Sequence, residues 1–219
     1  VTADKHAILL VAFGTTVPAA AEVFNRFEER VKKRFPDSEI RWAYTSSVVR
    51  RKLAERGEAK ESVQEALEQL ARDGYRTIAV QSLHTIPGAE FHKLHREIIA
   101  FRHKAASRTV SVVAGSPLLA GYDDALRAAR ALAEGAPAAR LPHEALVCMG
   151  HGSAQHGSDL MYVAFSAMLN KIDPYAFLGT VEGHPTLDDV VAQCKAANVQ
   201  RAWLIPFMAV AGDHALNDM

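Results

Sequence analysis

Apolar and polar stretches alternate along this chain in short blocks, and the period of the pattern changes from block to block. Residues 7–13 form a continuous apolar run closed by Gly14-Thr15-Thr16, which predicts a short strand buried on both faces. Residues 19–35 repeat apolar positions at helical spacing, with Val23, Phe24, Phe27 and Val31 on one face. Residues 40–44 read as a second strand, 61–73 as a helix stopped at Gly74, and 77–83 as a third strand. A helix over 91–103, a fourth strand over 110–114 and a helix over 122–134 follow, the last entered through Ser116-Pro117-Leu118-Leu119. Gly135-Ala136-Pro137-Ala138-Ala139 predicts a flexible break. Strands alternating with helices in this way indicate the α/β class with parallel sheets.

The second half reads as a copy of the first. Residues 7–15 lie against 145–153 at an offset of 138, placing Phe13 opposite His151 and Gly14 opposite Gly152. Residues 62–94 lie against 186–218 without a gap at an offset of 124, so Gln69 falls on Gln193, Leu83 on Phe207 and Gly88 on Gly212. Identity is low, and two ordinary βα units share some of this pattern by chance. The duplication predicts two Rossmann-like lobes, residues 1–115 and 116–219, whose strand ends meet at one cleft. It also pairs Glu58 with Glu182 and Glu90 with His214, the first half being longer by a stretch that includes Val48-Val49-Arg50-Arg51-Lys52-Leu53.

Two loops carry candidate chemistry. Leu146-Val147-Cys148-Met149 runs into Gly150-His151-Gly152-Ser153, a buried strand breaking into a tight turn. The carboxyl ends of strands are where open α/β sheets bind ligands, so His151 is offered to a ligand rather than to the core. His214 follows the later apolar run 202–210 in the same fashion. Two strand-end histidines point to metal handling. The two cysteines, Cys148 and Cys194, lie in an apolar strand and an amphipathic helix with no C-x-x-C, and read as free thiols.

Bulk properties narrow the function. Lys plus Arg balance Asp plus Glu at 25 each, so net charge recruits neither nucleic acid nor a membrane surface. No apolar run is long enough to span a bilayer. Neither G-x-G-x-x-G nor G-x-x-x-x-G-K-[ST] occurs, which disfavours nucleotide chemistry. A serine hydrolase built on Ser153, with His214 and Asp213 or Asp188, lacks the G-x-S-x-G elbow.

Gly150-His151-Gly152-Ser153, Thr180-Val181-Glu182-Gly183, Gly212-Asp213-His214 with Asn217-Asp218-Met219, and Tyr44-Thr45-Ser46 leading to Arg50-Arg51-Lys52-Leu53 together resemble the CbiK-type anaerobic cobaltochelatases. These are class II chelatases acting on sirohydrochlorin, and the resemblance runs through most of the chain. It implies two Rossmann-like lobes with the active site in the cleft between them. It implies insertion of Co²⁺ into sirohydrochlorin with release of two pyrrole protons, in cobalamin or sirohaem biosynthesis, and it leaves Fe²⁺ open. Family members continue with further secondary structure beyond the second motif, where this chain stops at Met219. Either the C-terminus is absent from the sequence or one lobe is completed another way.

In that reading His151, Glu182 and His214 form a two-histidine, one-carboxylate metal set with positions open for ring nitrogens, and the same three act in catalysis. Each taken alone is equally a loop side chain bonded to backbone or water. Sirohydrochlorin carries many carboxylates, and a neutral protein must meet them locally. Segment 41–60 supplies Arg41, Arg50, Arg51, Lys52, Arg56 and Lys60 against Glu55 and Glu58, with Arg50 and Arg51 as the substrate anchors or, alternatively, a solvated helix face. His92 and His95, one turn apart on a helix that also carries His103, are either incidental or an auxiliary haem or metal pair, with a homo-oligomer contact as one setting. A non-catalytic tetrapyrrole or metal carrier is the alternative to an enzyme. The start at Val1 leads to the expectation of a processed, periplasmic protein, with the cytoplasm as the alternative.

Overall fold

A computed structural model describes residues 5–153 and 157–209, with the side chains of residues 105 and 106 excepted. The chain divides into two compact units, Val1–Pro117 and Leu118–Met219. Among the described residues no helix is long and apolar enough to cross a membrane.

The first unit is a four-stranded parallel sheet in the order β2-β1-β3-β4, made of β1 (His6–Ala12), β2 (Glu39–Tyr44), β3 (Thr77–Ser82) and β4 (Ser111–Ala114). Its helices are α1 (Pro18–Arg34), α2 (Ser47–Glu55), α3 (Val63–Arg72) and α4 (Ala89–Arg102). Leu9, Val11, Ile78 and Val80 of the central strands meet Leu67, Leu70, Leu94 and Phe101 from α3 and α4, all of them buried. Burial of one such side chain stabilises the fold by about 1.5–3 kcal/mol. The stripe expected on α1 is narrower than its spacing suggests. Phe24 is buried with Ala20, and its ring lies 4.8 Å from Trp42, whereas Phe27 and Val31 are half-buried and Val23 is exposed. The helix rests on β2, an edge strand of the described sheet, so only one row of its side chains finds a partner.

The second unit repeats this plan with β5 (Ala145–Gly152), β6 (Ala176–Glu182) and β7 (Ala202–Pro206) in the parallel order β6-β5-β7. It also holds α5 (Tyr122–Glu134), α6 (Leu160–Ile172) and α7 (Leu187–Ala196). The duplication is visible in the ladder. Leu10 pairs with Gln81 in the first unit, and their counterparts Cys148 and Ile205 pair in the second. It is equally visible in the helix starts. Ser62 and Glu65 form a reciprocal capping box at α3, and Thr186 and Asp189 form the same box at α7, 124 residues on.

Two sequence expectations change. Residues 135–139 are not an open linker: Gly135 and Ala136 donate backbone hydrogen bonds to Ala131 and Ala133 at the end of α5, and Arg140 N–H bonds back to Pro137. The second is the pairing of Glu58 with Glu182. Glu58 sits in the exposed turn after α2, whereas the ladder sets Tyr44 opposite Ala12 as it sets Thr180 opposite Gly150. Two residues further along each strand, the counterpart of Glu182 is Ser46. The insertion of α2 between β2 and α3 broke the simple offset.

Below the second sheet, Arg140 is nearly buried and gives one N–H to Asp173 at 2.5 Å and another to the Glu144 carbonyl at 2.9 Å. Burial alone would raise the Asp173 carboxyl, but the Arg140 and Tyr175 hydrogen bonds outweigh it and hold the group below its ordinary range. A depressed carboxylate adds stability above its unfolded pKa and loses it as the pH falls through the folded value. Arg140→Ala leaves a mostly buried carboxylate without its cation and with the Tyr175 N–H still bound, so urea denaturation at neutral pH should show a loss of about 3 kcal/mol. That difference should shrink below about pH 4, where the carboxyl protonates in the unfolded chain.

Candidate metal and substrate site

Parallel strands put the carboxyl ends of β5, β6 and β7 along one edge of the second sheet. His151 is the penultimate residue of β5 and Glu182 is the last residue of β6, both exposed. The ladder pairs Gly152 with Glu182 at its final rung. Strict alternation would send 151 and 182 to opposite faces; what the two share is the edge where the ladder ends. One ring nitrogen of His151, Nδ1, lies 3.3 Å from the Gly152 carbonyl.

The loop after Glu182 is held at several points. Thr180 donates its N–H and its hydroxyl to the Pro185 carbonyl, at 2.8 and 2.9 Å. His184 N–H donates to Asp159 Oδ2 at 3.1 Å, and Thr186 begins the capping box of α7. Ser153 is half-buried and Asp188 is an exposed residue in the first turn of α7. The third expected ligand, His214, lies outside the described residues, as does Asp213. Among the described residues, no three or more His, Cys, Asp or Glu side chains form a metal-holding group. The thiols stand apart: burial pushes Cys148 up to about 12 and raises half-buried Cys194, so neither offers a thiolate near neutral pH.

At the corresponding edge of the first unit the sequence reading missed a polar cluster. His84 follows β3, with Nδ1 2.9 Å from Ser82 Oγ and Nε2 3.4 Å from Thr45 Oγ1. Lys93 of α4 donates to the Thr45 carbonyl and lies 4.0 Å from Glu90. Glu90 Oε2 is buried and has no hydrogen-bond partner among the described residues. Burial lowers His84 to about 4, against a smaller opposing pull from the Glu90 charge, so its imidazole is neutral at physiological pH. The sequence signals were His84 at a strand end near the histidines of α4 and the Glu90–His214 equivalence; nothing in local spacing joins His84 to Thr45 across 39 positions.

The basic segment is not one surface. Arg41 points to the other end of the sheet, bound to Asp73 at 2.6 Å and Glu39 at 3.3 Å, and is unavailable to a ligand. On α2, Arg50 is largely buried, 3.6 Å from Glu65 of the α3 capping box, and its Nε has no hydrogen-bond partner among the described residues. Arg51 and Lys52 are exposed, and Arg56 donates to the Thr16 carbonyl at 2.9 Å. On α4, His92 is exposed and His95 packs edge-on against Phe91, ring centres 4.5 Å apart.

The low pKa of His84 has a measurable consequence. An unfolded histidine takes up a proton near 6.5, while the folded one resists until about 4. The unfolded state therefore binds more protons in that window, and the first unit loses stability as the pH falls through it, by up to about 3 kcal/mol. His84→Gln keeps a hydrogen-bonding side chain without a titrating ring, and should flatten this limb of a pH–denaturation profile. An NMR titration of the parent should place the His84 midpoint near 4.

The family model for cobalt chelatase (CbiK) matches residues 6–219. The chain is 40% identical over 215 residues to the sirohydrochlorin cobaltochelatase CbiKC of Nitratidesulfovibrio vulgaris, covering 98% of this chain and 75% of that protein. It is 35% identical over 217 residues to the sirohydrochlorin cobaltochelatase of Salmonella typhimurium, covering 98% of this chain and 80% of that one. In fold it resembles SirB from Bacillus subtilis, solved with Fe³⁺, at a TM-score of 0.68 and 17% identity over 98% of this chain and 81% of the other. DR2241 from Deinococcus radiodurans, a multi-domain protein with structural similarity to chelatases, matches at a TM-score of 0.64 and 14% identity over 97% of this chain and 46% of its own. On the match of the family model and the two sequence relatives, this chain belongs to the CbiK cobalt chelatase family.

Proposed function

We propose that this protein is a sirohydrochlorin cobaltochelatase. It takes Co²⁺ and sirohydrochlorin as substrates and returns the cobalt chelate and two protons. The observation that carries the reading, within a cobalt chelatase family, is the exposed imidazole and exposed carboxylate on adjacent strand ends, His151 on β5 and Glu182 on β6.

The chemistry asks for donors that hold a divalent ion and then give it up. Neutral imidazole and carboxylate do so for Co²⁺, and His151, Glu182 and His214 are assigned to it. As ring nitrogens take over the metal, each pyrrole N–H loses a proton. Glu90, with a buried oxygen that accepts no hydrogen bond among the described residues, suits a proton acceptor in the first unit. The exposed guanidinium of Arg51 suits a substrate carboxylate, and Arg50 supports it from a half-buried position against Glu65. Imidazole and carboxylate do not separate Co²⁺ from Fe²⁺, so iron insertion remains the alternative substrate metal. A pure carrier would bind both partners without releasing protons, and a serine hydrolase finds no support in a family of chelatases.

An optical assay with sirohydrochlorin and Co²⁺, run beside Fe²⁺ and beside protoporphyrin IX, tests the reading. Cobalt insertion into sirohydrochlorin and none into protoporphyrin is the expected result; tight binding with no chelate formed would make the protein a carrier. Glu182→Gln keeps size and removes charge, so its Co²⁺ affinity should fall about tenfold, or about 1.4 kcal/mol, whereas Glu58→Gln should leave it at the parental value. His151→Ala should lose most insertion activity with the fold intact by circular dichroism. Arg51→Ala should raise KM with little change in kcat, by about 1.5–3 kcal/mol in binding if the contact is made, and less so at high salt.

A further inference from the structure

Asp159 stands at the start of α6, next to the loop that carries Glu182. Its backbone is helical, at φ −57° and ψ −27°, yet its carboxylate makes no cap bond to α6. An aspartate in this position ordinarily caps its own helix. Here Oδ2 instead accepts the N–H of His184, two residues beyond Glu182, at 3.1 Å. The neighbouring residue makes room for it. Gly183 has φ +104°, and a Cβ placed there would lie 2.0 Å from Asp159 Oδ2. The other carboxylate oxygen, Oδ1, is buried and has no hydrogen-bond partner among the described residues. The loop is also tied to β6 through Thr180 and to α7 through the Thr186–Asp189 box. Asp159 links the loop to the start of α6, the helix that follows the His151 strand.

We propose that Asp159 is a positioning residue for Co²⁺ binding: by accepting the His184 N–H it fixes the 182–184 loop and so sets the direction in which Glu182 presents its carboxylate. The inference rests on the assignment of Glu182 as a metal ligand. Partners hydrogen-bonded directly to a metal ligand change metal affinity by about 10- to 100-fold when removed; Asp159 acts through the loop backbone at His184, so the lower end of that range is expected.

Co²⁺ titrations of the parent, Glu182→Gln, Asp159→Ala, Asp159→Asn and Gly183→Ala, without tetrapyrrole, test it. Asparagine keeps an acceptor oxygen for His184 and should stay within about twofold of the parent. Alanine removes the acceptor and should weaken Co²⁺ binding about tenfold, with sirohydrochlorin affinity unchanged. Gly183→Ala displaces the same carboxylate and should give the same loss of Co²⁺ affinity, which keeps the test decisive if Asp159→Ala does not fold. Parental Co²⁺ affinity in Asp159→Ala or Gly183→Ala, or an asparagine variant as impaired as the alanine one, overturns the positioning role. Where Glu182→Gln loses affinity in the same series, only that role falls. Parental affinity in Glu182→Gln overturns the ligand assignment itself, and the inference with it.

Discussion

The edge of the second sheet depends on how closely β5 and β6 approach at their last rung. A Cβ on residue 152 would lie 1.5 Å from the Glu182 carbonyl oxygen, a distance no side chain can accommodate. The same residue sits at φ +85°, a region that carbon-bearing side chains avoid. Glycine is thus required there for two independent reasons. Only with that glycine does the ladder persist to the ends of both strands, where His151 and Glu182 stand. A larger residue would part the strands at the rung beside His151 and Glu182.

The two units show how one plan was adapted to two tasks. Both have a central strand, β1 or β5, between its two successors, and both start the second crossover helix with a reciprocal capping box. Caps and ladder registers are backbone requirements, so they survive wherever the fold survives. The strand ends are free of that constraint and have diverged. Where the second unit exposes Glu182, the first has buried Ser46, whose hydroxyl caps α2. The second unit exposes His151; the first has exposed Phe13 at the matching position. An exposed imidazole and carboxylate on one edge, and an exposed phenylalanine beside a hydrogen-bonded polar cluster on the other, are different surfaces drawn from the same scaffold.

How much of this was legible in the sequence follows the range of the interactions involved. The strands at 7–13 and 77–83 and the helices at 61–73 and 122–134 emerged within a residue or two, because an apolar run and its caps are local signals. Helix α6 did not, since its sequence is apolar almost throughout and only Tyr162, Phe165 and Leu169 mark the buried face. Helix α2 was seen as a run of charge; its cap by Ser46 is one hydrogen bond, to Val49 N–H at 3.3 Å. The offset of 124 identified the α3–α7 equivalence correctly and then misassigned Glu58, because an inserted helix shifts numbering without moving the strands. His84 was the least legible of all. Its partners come from separate strand ends, and only the folded sheet brings them together.

A protein that gives away its metal must bind with donors matched to the task, and the placement of side chains sorts them accordingly. The group that would hold a soft ion hardest is a thiolate, and Cys148 lies in the same strand as His151, three positions before it. Yet it is fully buried and its thiol is pushed up to about 12, so it stays protonated and inert. The edge offers an imidazole and a carboxylate instead, both open to solvent and to an incoming ring. In the first unit the imidazole is treated in the opposite way: His84 is tied between two hydroxyls and kept neutral by burial, so it neither competes for protons nor repels a cation near pH 7. The same residue type is thus left open to solvent at one edge and held as a fixed, uncharged strut at the other, and the difference lies in the degree of desolvation.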